Sequence, residues 1–518
     1  MRDDGAMLPT RRALALAGVL TGTAGLVTSQ ATVWMLQARN GPVVAVSSAV
    51  RDLTPGRLAI NLAHFVGPVL DKVLLKGGTV VILVAICAWV GTQTVRRPWL
   101  SDVVYFVLGC IGLAAVLRLP DSTVGSSLGV VVGLLTWLVV HRVLTAPLLG
   151  TGDTLGDLSR RTFLRRVGGV GLGIAAAGLL GGFSSRSRRR VEQSRNLLRL
   201  PDSVTPGVEP AGSDLGLSSE FPWRTPIADA TDKARSFYRI DTALSPPLIT
   251  PADWRLRIHG MVDHEMEFSY NDLVGRQLTG DWVTLCCVSN EVGGDLIGNA
   301  YWSGVLIRDI LAEVGIQRGA DAVLQTSDDG WNCGTPLAAL TDDRNAMLAL
   351  AMNGEPLPIE HGFPVRMVVP GLYGFVSATK WLVDLEVTRF DKIDAYWTQR
   401  GWSEQGPVLT QSRIDVPSDG GSTKVGRVKV GGSAWAQHTG IERVEYQIDG
   451  GSWQRARLGT VPGADTWVQW VGEVEVDSGS HSLVVRATDR SGYTQTAVRT
   501  DVVPSGATGW HTVTFEAS

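Results

Sequence analysis

The sequence predicts a multi-domain protein in three parts: an α-helical transmembrane region, then an α+β domain, then a β-sandwich. Three observations predict it. Up to about residue 182 the 518-residue chain is rich in Leu, Val, Ala and Gly and poor in acids, whereas beyond about residue 220 it has an ordinary soluble composition dense in tryptophan. From Ser236 to about residue 410, strand-like alternation mixes with short helical stripes and lacks a regular strand–helix repeat. From Gln411 onward the pattern becomes short strands separated by Gly, Asp and Ser turns. The expected boundaries are a membrane region over 1–184, a linker over 185–235, the α+β domain over 236–410 and the β-sandwich over 411–518. A net charge of −3 gives no reason to expect nucleic acid as a partner.

A helix crosses a bilayer with about 20 apolar residues, and five stretches qualify. The first starts at Ala13 behind Arg11 and Arg12. The others run from Gly77 to Gly91 with short extensions, Val103 to Leu117, Ser127 to Leu144 and Val167 to Gly182. They cluster and carry almost no charge, which argues against buried helices of a soluble protein. Residues 42–76 contain Arg51, Asp52, Arg57, Asp71 and Lys72, and read as an extramembrane loop with an amphipathic helix. Ahead of the fifth span stands SRRTFLRR, residues 159–166. Paired arginines and a Phe-Leu step before a moderately apolar helix resemble the twin-arginine export signal; ordinary positive-inside flanking charge is the plainer reading of the same residues. Five spans with a cytoplasmic N-terminus place these arginines, and Arg96 and Arg97, inside. The chain is therefore expected to be a multi-pass protein of the cell membrane, in contact with lipid, with its folded half extracytoplasmic. The basic run SRSRRR, residues 185–190, falls on the opposite side from that rule. The linker that contains it is rich in Arg, Ser, Pro and Gly and has no sustained periodicity.

Within the α+β part, WRLRIHGMV alternates as a strand, SYNDLVGR starts a short helix and DWVTLCCV is a second strand. Val305, Ile307, Ile310, Leu311 and Val314 form a helical stripe. AVLQTSDDGW is a strand entering a loop, and HGFPVRMVVPG is a strand between turns. In the last part GRVKVGGSAW, IERVEYQID, SWQRARL, WVQWVGEVEV, SHSLVVRATD and YTQTAVRTDVV read as strands, with IDGGSW as a hairpin signal. This spacing suggests an immunoglobulin-like sandwich without the Cys…Trp…Cys pattern of antibody domains.

The chain has five cysteines, two of them adjacent at 286 and 287. The outer face of a membrane is oxidising, so the cysteines kept there should be ligands, paired or buried. In a strand with a period of two, Cys286 and Cys287 point in opposite directions, so they cannot chelate one metal together. A vicinal disulfide there would be strained. No C-x₂₋₄-C pair exists, which argues against tetrahedral zinc. Cys87 and Cys110 lie in spans and read as small apolar residues.

Residues 236–400 resemble the molybdopterin domain of the sulfite oxidase family, and the β-rich tail is similar to its immunoglobulin-like dimerisation domain. The resemblance rests on CVSN, Cys287 to Asn290, matching the family's Cys-x-x-Asn. It rests also on the long block MNGEPLPIEHGFPVRMVVPGLYG, Met352 to Gly374, and on TKWL, Thr379 to Leu382. It covers about 280 residues and does not reach the membrane region. It implies one molybdenum–molybdopterin per chain with Cys287 as metal ligand, a soft thiolate suited to that metal. It further implies His361, Arg366, Lys380 and Ser377 as cofactor contacts, with Tyr238 and Arg239 of FYRID joining Cys287 in the catalytic set. Asn290 and Asp329 complete the pocket in this reading; by themselves both also read as turn-capping residues.

Two departures concern the substrate. Glu291 stands where the animal enzymes carry arginine, and GFVSATKW lacks the family's arginine before Lys-Trp. The expected activity is thus two-electron oxygen-atom transfer on an oxo-anion such as sulfite or on a sulfoxide, including protein methionine sulfoxide. A cofactor-free extracellular binding module is the alternative from another class. No Cys-x-x-Cys-His is present, so no c-type haem is expected. Of His64 and His141 in the membrane half, only His141 lies in a span. Electrons would pass to or from a quinone, a cytochrome or a separate redox protein, and the family's tail makes a homodimer the expected assembly.

Overall fold

A computed structural model of the chain describes residues 11–36, 38, 40–54, 68–119, 122–149, 156–180, 184–201, 212–217, 221–227 and 236–518. They fall into two compact units, Met1–Arg190 and Val191–Ser518.

The first unit is helical, with Arg11–Met35, Pro42–Leu53, Pro68–Gln93, Pro98–Leu117, Val124–Leu149 and Gly156–Leu180. Four of these, the first, third, fourth and fifth, are long and apolar enough to cross a membrane. The expected fifth span, Val167 to Gly182, falls on the helix Gly156–Leu180, which carries the arginine run 159–166 in its first half; residues 181 and 182 of that span lie outside the described residues. The expected amphipathic helix is Pro42–Leu53, but the next helix begins at Pro68 rather than near Gly77. Glycines let the helices approach. A Cβ on Gly18 or Gly91 would collide with the carbonyl of Cys87 or Leu14, and one on Gly25 with Trp137. Val81, Ile82, Phe106, Val107, Ile111 and Val139 point outward. Inside, His141 Nε2 lies 3.0 Å from Thr94 Oγ1 and Nδ1 3.0 Å from Tyr105 Oη. The Thr94 hydroxyl donates to Val90 O, so it accepts from Nε2–H, and Tyr105 donates to Nδ1.

The second unit contains four sheets. Its strands are β1 Arg255–Gly260, β2 Met266–Ser269, β3 Thr279–Cys286, β4 Ile297–Leu306, β5 Ala322–Ser327, β6 Asn332–Pro336, β7 Met347–Met352, β8 Glu355–Pro356, β9 Arg366–Val368 and β10 Leu382–Thr388. They continue as β11 Gln411–Val416, β12 Gly421–Thr423, β13 Gly426–Trp435, β14 Ile441–Ile448, β15 Gln454–Arg455, β16 Arg457–Leu458, β17 Val468–Val476, β18 Gly479–Asp489 and β19 His511–Ala517. One sheet has the order β2-β1-β10-β5-β6, with β1 and β10 parallel. The other catalytic-half sheet is β3-β4-β7-β8, with β9 on β7. Every residue of β7 is buried, as an apolar run in a central strand requires. The helix after Ser269 is fixed by a capping box with Asp272. The stripe expected from Val305 starts two residues later: Val305 belongs to β4, and Ile307, Ile310, Leu311 and Val314 are the buried face of Ile307–Val314.

The tail forms sheets β11-β13-β17-β16 and β12-β19-β18-β14-β15. They close on one core that includes Val430, Trp470, Val444, Leu483 and Phe515. Asp449 and Gly450 both have positive φ at the IDGGSW turn, as a hairpin turn of the primed type needs. Two expected strands differ. SWQRARL splits at Ala456, so that β15 pairs with β14 and β16 with β17 in the other sheet. YTQTAVRTDVV makes only isolated bridges, at Thr494 and Thr500; its hydrophobic positions are interrupted by polar side chains bonded locally, such as Thr500 to Thr508. The final strand is instead β19.

Within the expected linker, residues 221–227 dock on the second unit's sheets. Trp223 is buried, its Nε1 donating to Trp467 O at 3.3 Å, while Trp467 Nε1 donates back to Trp223 O at 2.8 Å.

Candidate active site

The strand β3 ends at Cys286, which pairs with Ile297, and Cys287 opens the following turn. Cys287 N donates to Leu296 O at 2.9 Å, and Asn290 N donates to Cys287 O at 3.0 Å. Asn290 Oδ1 accepts from Leu296 N at 2.8 Å, so Asn290 closes the turn that presents the thiol. Both thiols are buried and both lie near Tyr238 and Tyr373, but their other partners differ. Cys286 is raised by burial and by Cys287, and is held back by Arg413 and a hydrogen bond with Asn290. Cys287 is raised by burial and lowered by hydrogen bonds with Ser289 and by the Lys380 charge. The strand ends between the two residues, so the expected pleat does not run through Cys287.

Lys380, His361 and Arg366 arrive from one segment. His361 ends the 3-10 turn Ile359–His361, Arg366 starts β9, and Lys380 precedes β10. Arg366 is buried, with Nη1 donating to His361 O at 3.2 Å, Nη2 to Ala378 O at 3.3 Å and Nε to Met367 O at 3.3 Å. Its guanidinium lies 4.9 Å from the Trp302 ring centroid. Among the described residues it has no carboxylate partner, and burial pulls its pKa down to about 10. Lys380 Nζ lies 3.0 Å from Asp241 Oδ2, which also takes Arg239 Nε at 3.1 Å. Burial pulls Lys380 down to about 8, against the opposing pull of Asp241. His361 is held neutral, first by burial, then by Lys380, Arg366 and Arg239, with Asp241 acting the other way. Its Nδ1 is buried with no hydrogen-bond partner among the described residues.

Tyr238 stacks on Phe237 with centroids 5.3 Å apart. Its hydroxyl makes no hydrogen bond among the described residues. Burial and the nearby Cys287 and Cys286 hold its proton on, while Arg366 opposes them. Ser377 is buried, but its hydroxyl is engaged with Tyr373 O at 2.9 Å. Asp329 sits in the β5–β6 turn, accepting from Trp331 N at 3.3 Å, the turn-capping arrangement. Cys333 packs against Thr379 with Sγ 3.3 Å from Oγ1, and burial pushes it up to about 12.

The structure therefore brings Cys287, Tyr238, Arg239, His361, Arg366 and Lys380 together, and places Asn290, Asp329 and Ser377 in supporting turns. Sequence reasoning missed Asp241 and Trp302. Asp241 lies two residues beyond Arg239, but nothing in the local pattern shows that a lysine 139 positions later shares it. The donor set fits a molybdenum–molybdopterin: a buried thiol, an orphaned imidazole nitrogen and three cations, two of which share one carboxylate, suit a metal beside an anionic, nitrogen-rich ring system.

A family model described as the oxidoreductase molybdopterin binding domain matches residues 243–397; Tyr238 and Arg239 lie just ahead of the match. The chain is 34% identical over 161 residues to the uncharacterized oxidoreductase YuiH of Bacillus subtilis (strain 168), covering 31% of this chain and 78% of that protein. It is 30% identical over 297 residues to mitochondrial sulfite oxidase of Macaca fascicularis, covering 48% of this chain and 54% of the relative. Against sulfite oxidase of Gallus gallus it is 27% identical over 352 residues, covering 56% and 75%. The chain spans about half the length of the mammalian relatives it matches. The crystal structure of the sulfane dehydrogenase SoxCD from Paracoccus pantotrophus aligns with a TM-score of 0.48 and 25% identity, covering 54% of this chain and 79% of that one.

Proposed function

The chain belongs to the sulfite oxidase family of molybdopterin oxidoreductases, and from that premise we propose a membrane-anchored enzyme that holds one molybdenum–molybdopterin through Cys287 and works on the outer face of the membrane. The observation that carries this reading is Arg366: a buried guanidinium that meets no carboxylate among the described residues, beside Lys380 and Arg239 sharing Asp241. Buried charge of this kind is costly unless an anion completes it. When bound, the cofactor supplies two-electron oxygen-atom transfer.

The chain's own residues prepare that chemistry. Arg366, Lys380 and Arg239 offer donors to an anionic group, with Asp241 holding two of them in place. His361, neutral and with Nδ1 unpartnered, offers one further hydrogen bond to a ring. Lys380 and Ser289 favour the Cys287 thiolate against its burial. Tyr238, protonated across the physiological range, is a standing donor to an oxygen near the thiol. We take sulfite as the first substrate class. Glu291 in the turn after Asn290 favours, as second reading, a neutral sulfoxide, since an added carboxylate repels a dianion. The four apolar helices support membrane anchoring, the SRRTFLRR motif supports export, and the two-sheet tail supports an immunoglobulin-like dimerisation module.

The test is elemental analysis with X-ray absorption on the full-length protein, wild type beside Cys287→Ser and Cys286→Ser. The Cys287 variant loses the protein sulfur from the metal shell and its turnover; the Cys286 variant keeps both. Equal effects of the two, or an absence of molybdenum from a cofactor-competent host, would refute the assignment. Sulfite-dependent reduction of an acceptor against sulfoxide-dependent oxidation of a reduced dye separates the substrate classes.

A further inference from the structure

The turn that presents Cys287 is not held by its own half alone. Its base is bonded internally, through Cys287 N to Leu296 O, Asn290 N to Cys287 O and Gly294 N to Glu291 O at 2.9 Å. Its tip, Gly293 and Gly294, meets the tail sandwich. Arg413 on β11 is buried, and its Nη1 donates to Gly294 O at 2.6 Å. The same guanidinium lies 3.9 Å from the Phe221 ring centroid, and its Nε lies 2.7 Å from Asp415 Oδ1. Gly293 has φ 82°, and a Cβ there would collide with the His511 ring on β19. His511 is oriented by Ile414 N, which donates to its Nδ1 at 2.9 Å. One strand back, the sandwich also grips β3: Trp467 N donates to Thr284 Oγ1 at 2.8 Å, and Gln437 Nε2 to Thr284 O at 3.0 Å.

An apolar contact would fill this junction at lower cost than a buried Arg–Asp pair. What the guanidinium adds is a directed, charge-assisted hydrogen bond to one carbonyl of the turn. We propose that Arg413 is a positioning residue for Cys287: acting through Gly294, with His511 as the wedge behind Gly293, it fixes the turn 287–296, so that the tail sandwich is a working part of the site. This rests on Cys287 being the metal ligand, but its test has one arm that needs no metal.

The experiment uses the full-length chain, made both in a host unable to synthesise the pterin and in a competent one. The variants are Arg413→Met, which keeps packing on Phe221 and loses the hydrogen bond, and Arg413→Lys, the conservative change. In the metal-free protein, iodoacetamide modification of each cysteine is followed by mass spectrometry. Cys287 in the methionine variant should react about tenfold faster or more, the effect of one lost charge-assisted hydrogen bond on a local opening equilibrium. Cys333, buried in the other sheet, reports global loosening and should not change; the lysine variant should recover part of the protection. In the loaded protein the Mo(V) spectrum should shift in the methionine variant at unchanged metal content, and return towards wild type with lysine. Cys287 and Cys333 accelerating together, or neither accelerating, overturns the proposal, as does an unchanged spectrum. Should Arg413→Met not fold, His511→Ala, which removes the wedge without stripping a buried charge, is read by the same criteria. Absence of molybdenum together with selective Cys287 exposure would sink the functional reading while leaving the turn assignment standing.

Discussion

Lys380 allows the anion-binding reading to be tested by protons. In the metal-free protein its pKa falls from 10.5 to about 8, chiefly through burial. An anion seated against Nζ favours the charged form and returns the pKa upward. At about 1.4 kcal/mol per unit, the whole displacement corresponds to roughly 3 kcal/mol of coupling between proton and anion. At pH 8 about half of the chains carry neutral Lys380, so binding a dianion takes up about half a proton per chain, rising towards one at pH 9 and falling to about a tenth at pH 7. Sulfate is the suitable probe because it does not itself titrate there. His361 is held below this window, Tyr238 and Cys287 above it, and Arg366, drawn down to about 10, begins to lose its proton only at the upper end. The sign follows: sulfate affinity falls as pH rises through 8, approaching tenfold per unit above it. The unliganded fold should gain stability over the same interval, because there the unfolded chain binds more protons than the native one. Calorimetry in buffers of different ionisation enthalpy measures the uptake, with Lys380→Met as the control that abolishes it. Affinity independent of pH between 7 and 9, or the same slope in the methionine variant, would refute the reasoning.

Three further outcomes follow from the packing. Arg366→Lys keeps a charge but loses the fork that meets the carbonyls of His361, Met367 and Ala378; molybdenum content by mass spectrometry should fall several-fold, while wild-type occupancy would contradict the role given to the guanidinium. Gly304→Ala places a Cβ against Leu348 O inside the β4–β7 pairing; overpacking of this kind costs about 1–3 kcal/mol or more, read as a lower denaturation midpoint of the second unit. His141→Phe removes two interhelical hydrogen bonds, to Thr94 and Tyr105. At about 0.6–2 kcal/mol each, thermal unfolding of the helical unit in detergent should drop measurably with the β-rich unit unchanged.

Much of this molecule was legible in sequence because the signals were local. Period-two alternation found β1, turn-separated short strands found β13, β14, β17 and β18, and SYNDLVGR marked a helix start. What failed was equally local in cause. YTQTAVRTDVV has strand-forming residues, but pairing needs a neighbour in register, and the partner of β18 on that side is β19. Val305 fits a helical stripe and a strand equally well; its pairing with Leu348 decides for the strand. The end of the strand between the adjacent cysteines was not legible, because it lies in the position of Leu296 across the turn, which accepts from Cys287 N.

By itself the sequence determined that the chain has an apolar helical part and a soluble β-rich part, and its motifs singled out the second of two neighbouring cysteines. Only the tertiary structure decided what surrounds that thiol. Asp241 reaches Lys380, Trp302 lies under Arg366, and Arg413 comes from another sheet to hold Gly294. These are contacts between residues tens to more than a hundred positions apart. A chain pattern records which residues can make a strand or a helix; which charges end up sharing one buried volume is fixed only when the strands have paired and the sheets have packed.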